Sequence, residues 1–145
     1  MPKENGLRTD LINRCFVKRS DGQLLIIKRN TLEKVNAGKW EIPSIKLLMG
    51  QDLTEPKGRA ALEEVALFVR AIQPLALLDT FTIGSGPTKG QTCIVIFSID
   101  SPMSGKVRLT DTHVESRWVP YDGMLACDLT REVRAAAIAL KHHLR

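Results

Sequence analysis

Along most of the chain the apolar positions come in short runs, and helical spacing dominates only at the C-terminus. Residues 11–20, LINRCFVKRS, and 23–29, QLLIIKR, read as strands separated by Asp21-Gly22. An Asp-Gly pair between two such runs predicts a hairpin, because both residues tolerate positive φ. Residues 30–39 form a polar loop, after which Trp40 and Pro43 lead into a short strand at 45–48. From there to Leu67 the pattern predicts a short amphipathic helix. Thr54 is its N-cap and Pro56 stands in its first turn, where a missing N–H is tolerated. Gly58 weakens this helix by about 1 kcal/mol relative to alanine. LFVRAI and the run at 74–83 read as two further strands, and residues 85–90 as a Gly/Pro loop. QTCIVIFSI at 91–99 is the most apolar strand and is expected at the sheet centre. A turn, SPMSGK, then precedes VRL and a strand-like segment at 113–120. Thr130 caps a terminal helix reaching Arg145, with Val133, Ala136, Ala137, Leu140 and Leu144 on one face. This order predicts a mixed sheet between helices.

Composition narrows the picture without deciding it. A chain of 145 residues fits one domain, with residues 1–8 as a flexible tail, and buries about 70% of its unfolded surface. No run approaches the roughly 18 apolar residues of a membrane span, and MPKENGLRTD lacks the apolar centre of a signal peptide. Cys15, Cys93 and Cys127 are odd in number and far apart, which suits free thiols and a cytoplasmic location. The net charge of +5 suits an anionic small molecule. It argues little for nucleic acid, since the chain has no basic block and no repeated aromatic–basic motif.

The candidate chemistry lies at Glu63-Glu64, the only adjacent carboxylate pair in the chain, with Arg59 one helical turn earlier. On a helix, residues 60, 63 and 64 share a face. Clustered carboxylates suit Mg²⁺, which prefers oxygen ligands, takes one or two from protein and leaves room for substrate phosphates. Taken alone, the pair reads better as a solvated helix face. Glu115, three residues before Trp118, is a further acidic candidate, whereas His113 beside the same strand reads as structural or exposed. Trp40 and Trp118 read as core residues, although either could stack on a base.

From GKWEIP at Gly38 to Leu67, this stretch resembles the Nudix box, G-x5-E-x7-R-E-U-x-E-E-x-G-U with U a bulky aliphatic residue. Arg59, Glu63, Glu64 and Leu67 occupy matching positions. Ile45 stands for the first glycine, Gln51 for the first glutamate, Ala60 for the glutamate after the arginine and Ala66 for the late glycine. The segment VRLTDTHVESRWVPYD resembles the family's later strand, so the likeness spans residues 9–142. It implies an α/β/α sandwich with a central mixed sheet. It also implies hydrolysis of a nucleoside diphosphate linked to a group X, with Glu63 and Glu64 binding Mg²⁺ or Mn²⁺. Glu115 would then be the base and Arg59 a brace. With two of the expected box carboxylates replaced, activity and metal binding are both expected to be weak. The alternative is an inactive Nudix-fold module that binds a nucleotide or a protein. The implied partners are a nucleotide-like small molecule and, at most, a second copy as a homodimer, with neither membrane nor nucleic acid.

Overall fold

The computed structural model describes residues 9–47, 61–62, 64–82, 89–90, 92–104 and 106–145. Its layout follows from strands that bury both faces. In β1 (Thr9–Val17), Phe16 enters one apolar core while Cys15 and Val17 enter another. In β2 (Leu24–Arg29), Leu24 and Ile26 join the first core, and Leu25 and Ile27 the second. Successive side chains of a strand point to opposite faces, so a continuous run such as LLII needs a core on each side. Each such side chain removed from water contributes about 1.5–3 kcal/mol.

The remaining strands are β3 (Trp40–Glu41), β4 (Ser44–Leu47), β5 (Ala61–Leu62), β6 (Leu67–Thr82), β7 (Thr92–Ser104) and β8 (His113–Val119). One sheet has the order β4-β1-β7-β6-β5 and the other β3-β2-β8. The first is mixed: β1 runs parallel to β7 and antiparallel to β4. The helices α1 (Tyr121–Leu125), α2 (Arg131–Ala139) and α3 (Lys141–Leu144) follow. Tyr121, Met124, Val133, Ala136, Ala137, Leu140 and Leu144 pack into the first core with Phe16, Trp40 and Phe97. The second core joins Cys15, Val17, Leu25 and Ile27 to Val65, Leu67 and Val69.

The expected strand at 91–99 is central, lying between β1 and β6, although it continues through Ser104 where a turn was expected. The Asp21-Gly22 reversal is also present. Gly22 has φ 85° and Arg19 N–H donates to Gln23 O at 2.9 Å. The ladder beyond it is a single bridge, Lys18 to Leu24. The strands then part into different sheets, because each finds a longer partner: β1 pairs β7 along its whole length and β2 pairs β8. The two strands expected at LFVRAI and 74–83 are one strand, β6, with register shifts between Ala71 and Leu77. Pro74 has no N–H to give a ladder, and such irregularities accommodate it.

The helix expected up to Leu67 is contradicted where the chain is described. Ala61–Leu62 is strand β5, paired with Leu67 and Phe68, and Glu64–Ala66 form the turn between them. Ala66 takes the left-handed φ of 58°, which a continuing helix excludes, and buried Val65 and Leu67 gain the second core. Thr54, Pro56 and Gly58 lie outside the described residues. The terminal helix breaks at Leu140, with φ −100° and ψ 16°, into α2 and α3. Thr130 holds the N-cap position of α2 but makes no side-chain cap. Its buried hydroxyl meets no partner among the described residues.

Candidate functional site

Glu64 sits in the β5–β6 turn, half-buried, and reaches back to β4. Its Oε1 accepts from Ser44 N–H at 2.8 Å and from Ser44 Oγ at 3.2 Å. Both bonds fall on one carboxylate oxygen and fix the group against the sheet edge. Supporting hydrogen bonds of this kind hold a ligating carboxylate in place. Glu115 lies on β8, in the other sheet, where its Oε2 accepts from Arg117 Nε at 2.8 Å. That pair is about half exposed. The Arg117 guanidinium also lies 4.8 Å from the centre of the Trp40 ring. Glu63 and Arg59 lie outside the described residues. Among the described residues, no group of three or more His, Cys, Asp or Glu side chains is placed to hold a metal ion. Glu64 is therefore the one member of the expected metal pair with a defined setting, and Glu115 is engaged elsewhere.

A second polar group lies between the sheets. Glu41, 5% exposed, stands between Trp40 and Ile42. Its Oε2 contacts His113 Nε2 at 2.6 Å and accepts from Arg29 Nη1 at 3.1 Å. Arg14 Nη1 approaches its Oε1 at 3.9 Å. Arg29 is fully engaged: its Nε donates to Val35 O and its Nη2 to Glu33 Oε1. Burial pushes the Glu41 carboxyl up, but the bonds from His113 and Arg29 and the charges of Arg29 and Arg14 outweigh it. The net effect holds Glu41 below its ordinary range, as expected for a carboxylate facing cations. With Glu41 ionised, Nε2 of His113 carries the proton, and the buried Nδ1 meets no partner among the described residues. Sequence reasoning missed Arg14, Arg29 and Glu41. The available signal was a charged side chain inside an apolar strand run: Arg14 in LINRCFV and Glu41 in WEI. His113 proves buried and structural, and Trp40 belongs to the first core.

No protein-family sequence model matches the chain, and no curated protein sequence does. Solved structures do. The MutT protein of Methanosarcina mazei Go1 superposes with a TM-score of 0.68 at 18% identity, over 95% of this chain and 96% of that one. A Nudix hydrolase from Nitrosomonas europaea gives 0.67 at 16% identity, over 95% and 92%. The MutT Nudix hydrolase of Burkholderia pseudomallei gives 0.65 at 20% identity, over 92% and 98%. The chain has the Nudix fold. Likeness at this identity fixes architecture, an α/β/α sandwich around a mixed sheet, and leaves the chemistry to this chain's own residues. Ala66 takes a left-handed φ that glycine adopts without strain. No described helix is long and apolar enough to cross a membrane.

Proposed function

We propose that this protein is a divalent-metal-dependent hydrolase of a nucleoside diphosphate linked to a further group, working slowly from a reduced box. The observation that carries the reading is Glu64, a box carboxylate fixed by two bonds from Ser44 on a Nudix fold. Its hard oxygens fit Mg²⁺ or Mn²⁺, and Glu63 is the second donor. Such an ion, when bound, neutralises diphosphate charge and orients the diphosphate. The chain's own part is to hold that charge and to orient a water. Glu115 is the proposed base, with its carboxylate released from Arg117 as substrate enters, and Arg59 braces the box. Gln51 and Ala60 offer no charge where the full box has carboxylates, so turnover is slow. Loss of a general base lowers rates by about 10²–10⁴-fold. The net charge of +5 favours an anionic substrate at the encounter stage.

The second reading is a Nudix-fold module that binds a nucleotide or a protein without hydrolysis. Ala60 and the engagement of Glu115 by Arg117 favour it. A panel of nucleoside diphosphates linked to different groups, with Mg²⁺ or Mn²⁺ and scored for turnover and thermal shift, separates the two. The hydrolase reading expects slow, metal-dependent turnover that Glu64→Gln lowers about tenfold or more. Tight binding of one compound without turnover selects the module.

A further inference from the structure

In the polar group around Glu41, the Nε of Arg14, like the Nδ1 of His113, is buried without a partner among the described residues. The Arg14 side chain is only 14% exposed. Its one ion pair among the described residues, to Glu41 Oε1, is long at 3.9 Å. Glu41 already takes its hydrogen bonds at closer range from His113 and Arg29. A buried N–H without an acceptor is costly, and the planar fork of donors of a guanidinium matches an anion with two oxygens.

Its place in the sheet says where that anion would lie. Arg14 is directly opposite Ser44 in the antiparallel β1–β4 ladder. Directly opposed residues project from the same face, with Cβ atoms about 4.5–5.5 Å apart. Ser44 is the residue that fixes Glu64. One face of the sheet edge thus carries a fixed carboxylate fit for a hard cation and, one strand over, a guanidinium with unused donors. A diphosphate bridges two such groups, one of its phosphates toward the cation and the other toward the guanidinium.

The geometry points to Arg14 as a phosphate-binding residue, gripping the substrate's diphosphate beside Glu64. The inference rests on the hydrolase reading for the identity of the full substrate, but phosphate capture by Arg14 needs neither metal nor turnover. The test therefore uses inorganic pyrophosphate with chelator present, read by titration calorimetry and thermal shift. The natural protein is expected to bind it and to gain melting temperature. Arg14→Gln should weaken binding about tenfold or more, the loss of a charge-assisted pair. Arg131→Gln, which removes an exposed arginine, should leave binding unchanged. The apo melting temperature of Arg14→Gln should hold or rise, since it loses an unsatisfied buried N–H; a structural arginine would lower it. Should Arg14→Gln fail to fold, Arg14→Lys serves, keeping the charge without the fork and weakening binding several-fold. Equal pyrophosphate affinity in the Arg14 variants, or no binding by the natural protein, overturns the inference. Malonate bound as tightly as pyrophosphate overturns the assignment to phosphate. Arg14-dependent pyrophosphate binding alongside a substrate panel without turnover keeps the inference and discards the hydrolase.

Discussion

Glu41 shows how one carboxylate can organise its surroundings. It joins β3 to β8 through His113 and to β2 through Arg29, with Arg14 of β1 at longer range. Its carboxyl titrates below its ordinary 4.5 in the folded protein. Between the lowered value and 4.5, the unfolded chain therefore binds a proton that the folded chain refuses, and stability rises with pH there. This contribution is complete above about pH 4.5 and is lost as pH falls through the folded value. Glu41→Gln should flatten that acid limb in urea melts taken from pH 3 to pH 7. At neutral pH it should also cost about 1.5–3 kcal/mol, because His113 and Arg29 lose a charged hydrogen-bond partner. An unchanged acid limb in the variant would show that other carboxylates carry the acid sensitivity.

The β5–β6 turn is where sequence and structure part most clearly, and Ala66 explains why. A residue at φ 58° costs a non-glycine side chain about 1–2 kcal/mol, and nothing in the composition of LEEVAL announces it. Apolar spacing could not separate a short helix from two strands around a tight turn, since Leu62, Val65 and Leu67 satisfy both patterns. By contrast, the terminal helix was legible because Val133, Ala136, Ala137, Leu140 and Leu144 leave one apolar face, and all five are buried. The Asp21-Gly22 turn was legible for its backbone but not for the fate of its strands, since turn chemistry is local and sheet pairing is not. Glu64 was readable as a candidate site residue from the resemblance to the box. Its tie to Ser44, and the group around Glu41, depend on contacts 20 and 72 residues apart in sequence. Ala66→Gly should raise stability by about 0.5–1 kcal/mol in urea melts, as left-handed strain is relieved against glycine's greater entropy in the unfolded chain. A loss of stability would mean that the alanine methyl earns its place by packing.

At the scale of the whole molecule, two sheets and a C-terminal helical layer give the Nudix architecture, and the proposed hydrolase reading takes Gln51 and Ala60 as neutral residues in place of box carboxylates. Gln51 and Ala60 lie outside the described residues. Carboxylates gathered at one site repel until a cation neutralises them, and they raise one another's pKa. Replacing two of them with neutral residues removes repulsion from the metal-free protein at the expense of metal affinity, an exchange common at functional sites. Ala60→Glu should therefore lower the metal-free melting temperature and enlarge the upward shift produced by Mg²⁺ or Mn²⁺. Adding Gln51→Glu should enlarge it again, since binding to the folded state stabilises in proportion to the logarithm of ligand concentration over its dissociation constant. A tenfold gain in metal affinity then adds about 1.4 kcal/mol at saturating metal, enough to read in a thermal melt. If the double variant responds to metal no more than the natural protein does, residues 51, 60, 63 and 64 do not converge on one cation. The hydrolase reading would then give way to the binding module on an unchanged fold.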